Sequence, residues 1–166
     1  MDYRFFGNTG VKVSSVCLGT MMFGGQTGQQ DSIEIMHKAF DLGVNFVDTA
    51  NMYSLGASEE VVGKGIKGYR DQLVIATKGR QKMGDGPNQQ GASRYHLMQE
   101  LDNSLRRLDL DYVDIYYTHT PDYKVPIEET LRAMDDMVKS GKVRYIACSN
   151  FRAWRVCESL WKSEQY

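Results

Sequence analysis

The feature that most limits what this chain can fold into is a regular alternation of short apolar runs with amphipathic helical segments. The runs are Val44–Val47, Leu73–Thr77, Tyr112–Thr118 and Val143–Cys148, with a shorter one, Ser15–Leu18, ahead of them. Between them, residues 31–42 carry Ile33, Met36 and Phe40 at helical spacing. Residues 94–107 carry Leu97, Leu101, Leu105 and, just beyond, Leu108. Residues 126–140 carry Ile127, Leu131, Met134 and Val138. Residues 151–163 read as a further helix with Trp154, Cys157, Leu160 and Trp161 on its buried side, and Ser58-Glu59-Glu60 reads as an N-cap followed by acids that suit the helix dipole. Strands alternating with helices make a parallel sheet, because each crossover returns the chain to the same end. All strand C-termini then lie on one face.

That face would gather chemistry. The apolar runs lead into Asp48, Lys78, His119 and the pair Ser149-Asn150, and Tyr53 follows Asp48 by five residues. In a parallel α/β barrel the C-terminal face is where active sites sit. Taken singly, each residue has a plainer reading: Asp48 as a turn or cap residue, Lys78 as a solvated charge, His119 as a hydrogen-bonded residue before Thr120-Pro121, Ser149-Asn150 as a helix cap. Their joint placement on one face favours a site. Ahead of the series, Arg4-Phe5-Phe6 and Val11-Lys12-Val13 flank Asn8-Thr9-Gly10, a hairpin signal expected to cover one end of the barrel. The stretch Gly79–Ala92, rich in Gly and Pro, is expected to be a loop on the active face.

Composition excludes some partners. A net charge of −1 with no basic block argues against nucleic acid. No apolar run reaches the length of a membrane span. Met1–Arg4 lacks the pattern of a secretory leader. Cys17, Cys148 and Cys157 show no metal or pairing spacing and read as small core residues in a reducing cytoplasm. Asp114, inside a strand run, is expected to pair with a polar neighbour. At 166 residues, 1–166 reads as a single domain.

Several segments resemble the N-terminal part of the aldo-keto reductases, in the branch that includes the potassium-channel β subunits. They are Leu18-Gly19-Thr20, Gly43 through Ala50 with Tyr53 and Ser58-Glu59-Glu60, Ala76-Thr77-Lys78, Ser104 through Leu108 with Tyr112-Val113-Asp114, and Gly141 through Ile146 running into Ser149-Asn150-Phe151. The resemblance implies an α/β fold, a (β/α)8 TIM barrel, present here as its N-terminal part: a hairpin plus about five βα units. It implies NAD(P)H-dependent reduction of an aldehyde or ketone, with NADPH preferred. Tyr53 would donate the proton. A free tyrosine is a weak acid, with a pKa of about 10, and an adjacent ammonium favours the phenolate; Lys78 would supply that charge and Asp48 would orient it. His119 would hydrogen-bond the substrate oxygen or help pass the proton. Ser149 and Asn150 would bind the nicotinamide carboxamide. Gly19, Thr20, Met21 and Asp48 would lie beside the cofactor, with Gln26 on a looser match. Met21, Met22 and Phe23 suggest an apolar pocket wall.

A complete barrel of this kind typically takes about 250 residues. The resemblance therefore implies that strands six to eight lie outside this sequence, and with them the loops that hold the cofactor's pyrophosphate. The expectation is a fragment, a truncated product without activity, or a pair of copies joined across open sheet edges. The chain on its own is expected to bind NADPH weakly or not at all. The alternative function is a non-catalytic, cofactor-sensing or partner-binding subunit.

Overall fold

The computed structural model describes residues 1–165. An antiparallel hairpin of β1 (Tyr3–Phe5) and β2 (Lys12–Ser14) comes first. Five strands follow: β3 (Leu18–Gly19), β4 (Phe46–Asp48), β5 (Val74–Gly79), β6 (Val113–Thr118) and β7 (Val143–Cys148). They form one parallel sheet in sequence order. The crossovers are α1 (Gln29–Asp41), α2 (Ala57–Gly65), α3 (Arg94–Leu108) and α4 (Ile127–Lys139), and α5 (Ala153–Ser163) follows β7. The curved sheet with its helices is a partial (β/α)8 barrel.

Two apolar layers hold it. The outer layer lies between sheet and helices. Val47, Ile75 and Tyr116 from the strands meet Met36, Val62, Leu97, Leu101, Leu108 and Met137 from the helices. The leucine stripe of α3 is buried as its spacing requires. The inner layer holds Val74, Ala76 and Ile115 with Val13, and Phe6, Val11, Phe46, Tyr117 and Tyr145 pack against it. The hairpin thus closes the end of the sheet where strands begin. Asn45 fastens it there: its Oδ1 accepts from the Ser14 amide at 2.7 Å and its Nδ2 donates to the Lys12 carbonyl at 3.1 Å.

Four sequence expectations need correction. Trp154, Leu160 and Trp161 are 53, 60 and 60 % exposed, and the buried residue of α5 is Arg155. The helix packs on α4, with Lys162 paired to Glu128 at 2.7 Å; Trp154 stacks on Tyr123 with ring centroids 6.1 Å apart, and both tryptophans keep more than half of their surface exposed. Cys17, Cys148 and Cys157 are exposed rather than core, because they lie beside or on the outermost strands of the sheet and on α5. On α4 the buried stripe is Ile127, Thr130, Ala133, Met134 and Met137, while Val138 is exposed. Ser58 is not an N-cap; Gly56 occupies that position with no side-chain bond. Asp114 behaves as expected. Its Oδ2 accepts from the Ile75 amide at 2.8 Å and pairs with Arg70 at 2.9 Å.

Candidate active site

Parallel pairing carries the chain past each strand end in step. The Thr20 amide donates to Asp48 O, Thr49 to Ala76 O, Asn51 to Lys78 O, His119 to Gly79 O, and Ser149 to Thr118 O. These rungs set the residues after β3 to β7 side by side on one rim. Asp48, Tyr53, Lys78 and His119 meet there, as the sequence led one to expect.

Lys78 is the hub. It is 6 % exposed, and an ammonium group has three protons to donate. One goes to Asp48 Oδ2 at 2.5 Å, one to the Thr49 carbonyl at 2.8 Å and one to Tyr53 Oη at 3.2 Å. A buried charge needs this degree of pairing. All three donors are committed, so the ammonium is fixed in direction as well as in place. Tyr53 Oη accepts one of these bonds, which leaves its own O–H to point elsewhere.

His119 stands edge-on to Tyr53, with ring centroids 5.8 Å apart and an interplanar angle of 82°. Its Nδ1 is buried and meets no hydrogen-bonding partner among the described residues. Burial, reinforced by the Lys78 charge, pushes its pKa down to about 4, so the imidazole is neutral near pH 7. Such a ring offers one N–H and one lone pair to whatever lies before it.

The residues suggested for a cofactor divide. Gly19, Met21, Gln26 and Asn150 are exposed and Ser149 is half-buried, all at or near the rim. Space is open where a side chain on Gly19 would project. Asn150 has φ +60° and donates through Nδ2 to His119 O at 2.8 Å and to Ser149 Oγ at 3.1 Å. Thr20 does not join them. It is fully buried, with its hydroxyl donating to Asp48 O at 3.0 Å and bonded to Ser58 Oγ at 2.9 Å. Ser58, also bonded to Thr49 Oγ1 and Thr20 O, knits the ends of β3 and β4 to α2.

Sequence reading missed the layer behind the rim. Asn51, Thr77, Glu59 and Glu100 are all buried polar residues, and they connect through Arg107. A buried Glu59 reads as a dipole-facing acid in sequence, since its partner Arg107 lies 48 positions on. No helix among the described residues is long and apolar enough to cross a membrane.

Comparison with known proteins agrees with this architecture. The model of the aldo/keto reductase family matches residues 15–166. Aldo-keto reductase YhdN of Bacillus subtilis (strain 168) is 42 % identical over 157 residues, covering 91 % of this chain and 47 % of the relative. A probable voltage-gated potassium channel subunit beta of Arabidopsis thaliana is 40 % identical, covering 96 % and 49 %. L-glyceraldehyde 3-phosphate reductase of Escherichia coli (strain K12) is 38 % identical, covering 98 % and 50 %. The crystal structure of the thermostable aldo-keto reductase Tm1743 superposes with a TM-score of 0.87 at 36 % identity, covering 98 % of this chain and 58 % of that one. The chain spans about half the length of the curated relatives it matches. Strand order, rim and likeness lead to one assignment: the chain belongs to the aldo/keto reductase family.

Proposed function

We propose that this chain carries the proton-transfer centre of an NADPH-dependent carbonyl reductase. The carrying observation is the Lys78 ammonium, with its three donors spent on Asp48, Thr49 O and Tyr53 Oη. Because the ammonium donates to Tyr53 Oη, the phenol's own O–H is left to face a carbonyl oxygen. Tyr53 then delivers that proton to the carbonyl oxygen as negative charge develops on it. Asp48 keeps the ammonium oriented. Neutral His119 donates a hydrogen bond to the same oxygen and helps select the carbonyl's orientation.

A bound nicotinamide supplies the hydride, which no side chain can. Residues at the rim fit such a ring. Asn150, with its N–H group committed to His119 O, presents Oδ1 as an acceptor for a carboxamide N–H, and Ser149 adds a hydroxyl beside it. Gly19, Met21 and Gln26 supply an open surface on the other side of Asp48. Thr20 acts only through the backbone it holds. The choice of NADPH rests on family likeness. The exposed thioethers of Met21 and Met22 favour a substrate with an apolar group beside its carbonyl.

The test compares wild type with Tyr53→Phe. Phenylalanine keeps the ring against His119 and leaves Lys78 two of its three acceptors. Reduction of 4-nitrobenzaldehyde is expected to fall by about 10²–10⁴-fold, with NADPH affinity, read by nicotinamide fluorescence, largely retained. Unchanged turnover removes Tyr53 from the mechanism. A second reading, a cofactor-sensing subunit, draws on the 40 % identity to the Arabidopsis thaliana channel subunit. One stoichiometric round of cofactor oxidation with slow release favours it; steady turnover favours the reductase.

A further inference from the structure

We propose that the buried set Glu59, Glu100 and Arg107, on the outer side of the sheet, is a positioning device for Tyr53 and Lys78. It rests on the reading of those two as the proton-transfer pair, and touches neither. Glu59 Oε2 accepts from Arg107 Nε at 2.6 Å. Arg107 Nη2 donates to Ser104 Oγ at 3.3 Å and lies 3.9 Å from Glu100 Oε2. Glu59 is 0 % and Glu100 4 % exposed.

Three connections lead from this set to the site. Thr77, the residue before Lys78, donates its hydroxyl to Glu59 Oε1 at 2.5 Å. Asn51, two residues before Tyr53, donates Nδ2 to Glu100 Oε2 at 2.7 Å while its amide donates to Lys78 O at 3.1 Å. Gly56 closes the tyrosine turn at φ +99°, so tightly against Arg107 that a Cβ there would stand 2.7 Å from Arg107 Cδ. Both ends of the turn are therefore held on α3.

The turn needs holding. Ser54 and Leu55 have φ of +48° and +52°, consecutive left-handed residues that are not glycine. Such backbone persists only where its surroundings over-determine it. A buried group of two carboxylates and one guanidinium is also a poor source of stability compared with apolar packing. Its contacts one residue from Lys78 and at both ends of the tyrosine turn give it a geometric role instead. Released from Asn51 or Gly56, the turn would relax toward ordinary dihedrals and carry Tyr53 Oη away from the ammonium.

The experiment exchanges donor and acceptor. Asn51→Asp sets a carboxylate against Glu100 and breaks the connection. Asn51→Asp with Glu100→Gln restores it reversed: the amide at 100 donates to the carboxylate at 51. Glu100 uses its other oxygen, Oε1, for Asn103 Nδ2 at 2.7 Å, and the amide oxygen keeps that bond. Two readouts are taken on the 166-residue chain. One is the NMR Overhauser contact between the Tyr53 ring and the Lys78 ε-methylene. The other is NADPH-dependent turnover of 4-nitrobenzaldehyde, split into kcat and KM. Asn51→Asp is expected to lose the contact and to lower kcat by about a hundredfold, with KM unchanged; the double variant is expected to regain both. Should Asn51→Asp not fold, Asn51→Ser, too short to reach Glu100, is read the same way. A single variant that folds, with or without lower stability, yet keeps the contact and kcat overturns the proposal, as does a double variant that folds and regains neither. If the contact is lost and regained in a chain that binds NADPH, read by nicotinamide fluorescence, yet never turns over, the positioning device stands and the reductase reading falls.

Discussion

Arg107→Met measures how strongly the fold depends on its buried ions. Glu59 is completely buried, and its carboxylate has two partners, Arg107 Nε at 2.6 Å and Thr77 Oγ1 at 2.5 Å. Methionine keeps much of the stem that packs on Gly56 and removes the guanidinium. The dry carboxylate is left with one hydroxyl. Breaking a buried pair from one side costs about 3–5 kcal/mol. Arg107 is 19 % exposed, so water reaches the pair from its side, which sets the expected loss near the lower bound, about 3 kcal/mol. Glu100 keeps amide donors from Asn51 and Asn103, which confines the loss to Glu59. Natural domains have about 5–15 kcal/mol in total, so the effect is a large fraction. Glu59→Gln combined with Arg107→Met removes both charges, while the amide oxygen can still accept from Thr77; a neutral amide with an unpaired NH2 group costs less than a bare carboxylate, so this pair should recover about 1–2 kcal/mol of the loss. Urea unfolding followed by far-ultraviolet circular dichroism, with equal slopes required, measures both. An Arg107→Met chain within about 1 kcal/mol of wild type, or a double variant no better than the single, refutes the reasoning.

Two further outcomes follow from neighbouring side chains. His119 has a pKa of about 4 in the fold against 6.5 for the ordinary imidazole, so between those values the unfolded chain takes up a proton that the folded chain refuses. Its contribution is fully present above pH 6.5 and is lost as pH falls toward 4; the urea midpoint should therefore drop from pH 7 to pH 5 more steeply in wild type than in His119→Asn. Gly79→Ala would place a methyl 2.1 Å from Tyr116 Oη and 3.0 Å from its Cζ, on a ring with no exposed surface, at a cost of about 1–3 kcal/mol. Tyr116 Oη is buried without a partner among the described residues, so Tyr116→Phe alone should be neutral or stabilising and should relieve Gly79→Ala when combined with it.

The strand ends were legible because local pattern determines them. The reading of Val143–Cys148 matches β7 residue for residue, and α3 differs from its periodic stripe by one residue. Asp48, Lys78 and His119 could be aligned from sequence because parallel connectivity sends every strand the same way. The misreadings share one physical cause. Periodicity in α5 shows which residues share a face, but not whether anything covers that face, and Trp154 and Trp161 are exposed. Glu59 carried the same limit in reverse. An acid in the first turn of a helix suits the dipole whether it is wet or dry, and only the packing of α2 on α3 brings Arg107 to it. Ser58 looked like a cap for the same reason, its true acceptors lying after β3 rather than on its own helix.

The rim places two phenols near the Lys78 charge, and the structure distinguishes them. The ammonium lies 4.8 Å from the Tyr53 ring centre and 5.8 Å from that of Tyr117. With its three donors committed to Asp48, Thr49 and Tyr53, it has none for Tyr117. Tyr117 packs into the inner apolar layer, where burial, followed by Asp48, Cys17 and Cys148, pushes its phenol up to about 12. A group so reluctant to ionise is a poor proton donor near neutral pH. Tyr53 differs in its backbone rather than its chemistry. It stands on a turn beyond the sheet, half-buried, where its oxygen meets the ammonium on one side and its ring meets neutral His119 on the other. The strained dihedrals of Ser54 and Leu55 are what carry the chain back from that turn into α2. On the reading proposed above, the choice of Tyr53 over Tyr117 as proton donor is made by the backbone after β4, with Glu100 and Arg107 of α3 and Glu59 of α2 holding that backbone in place.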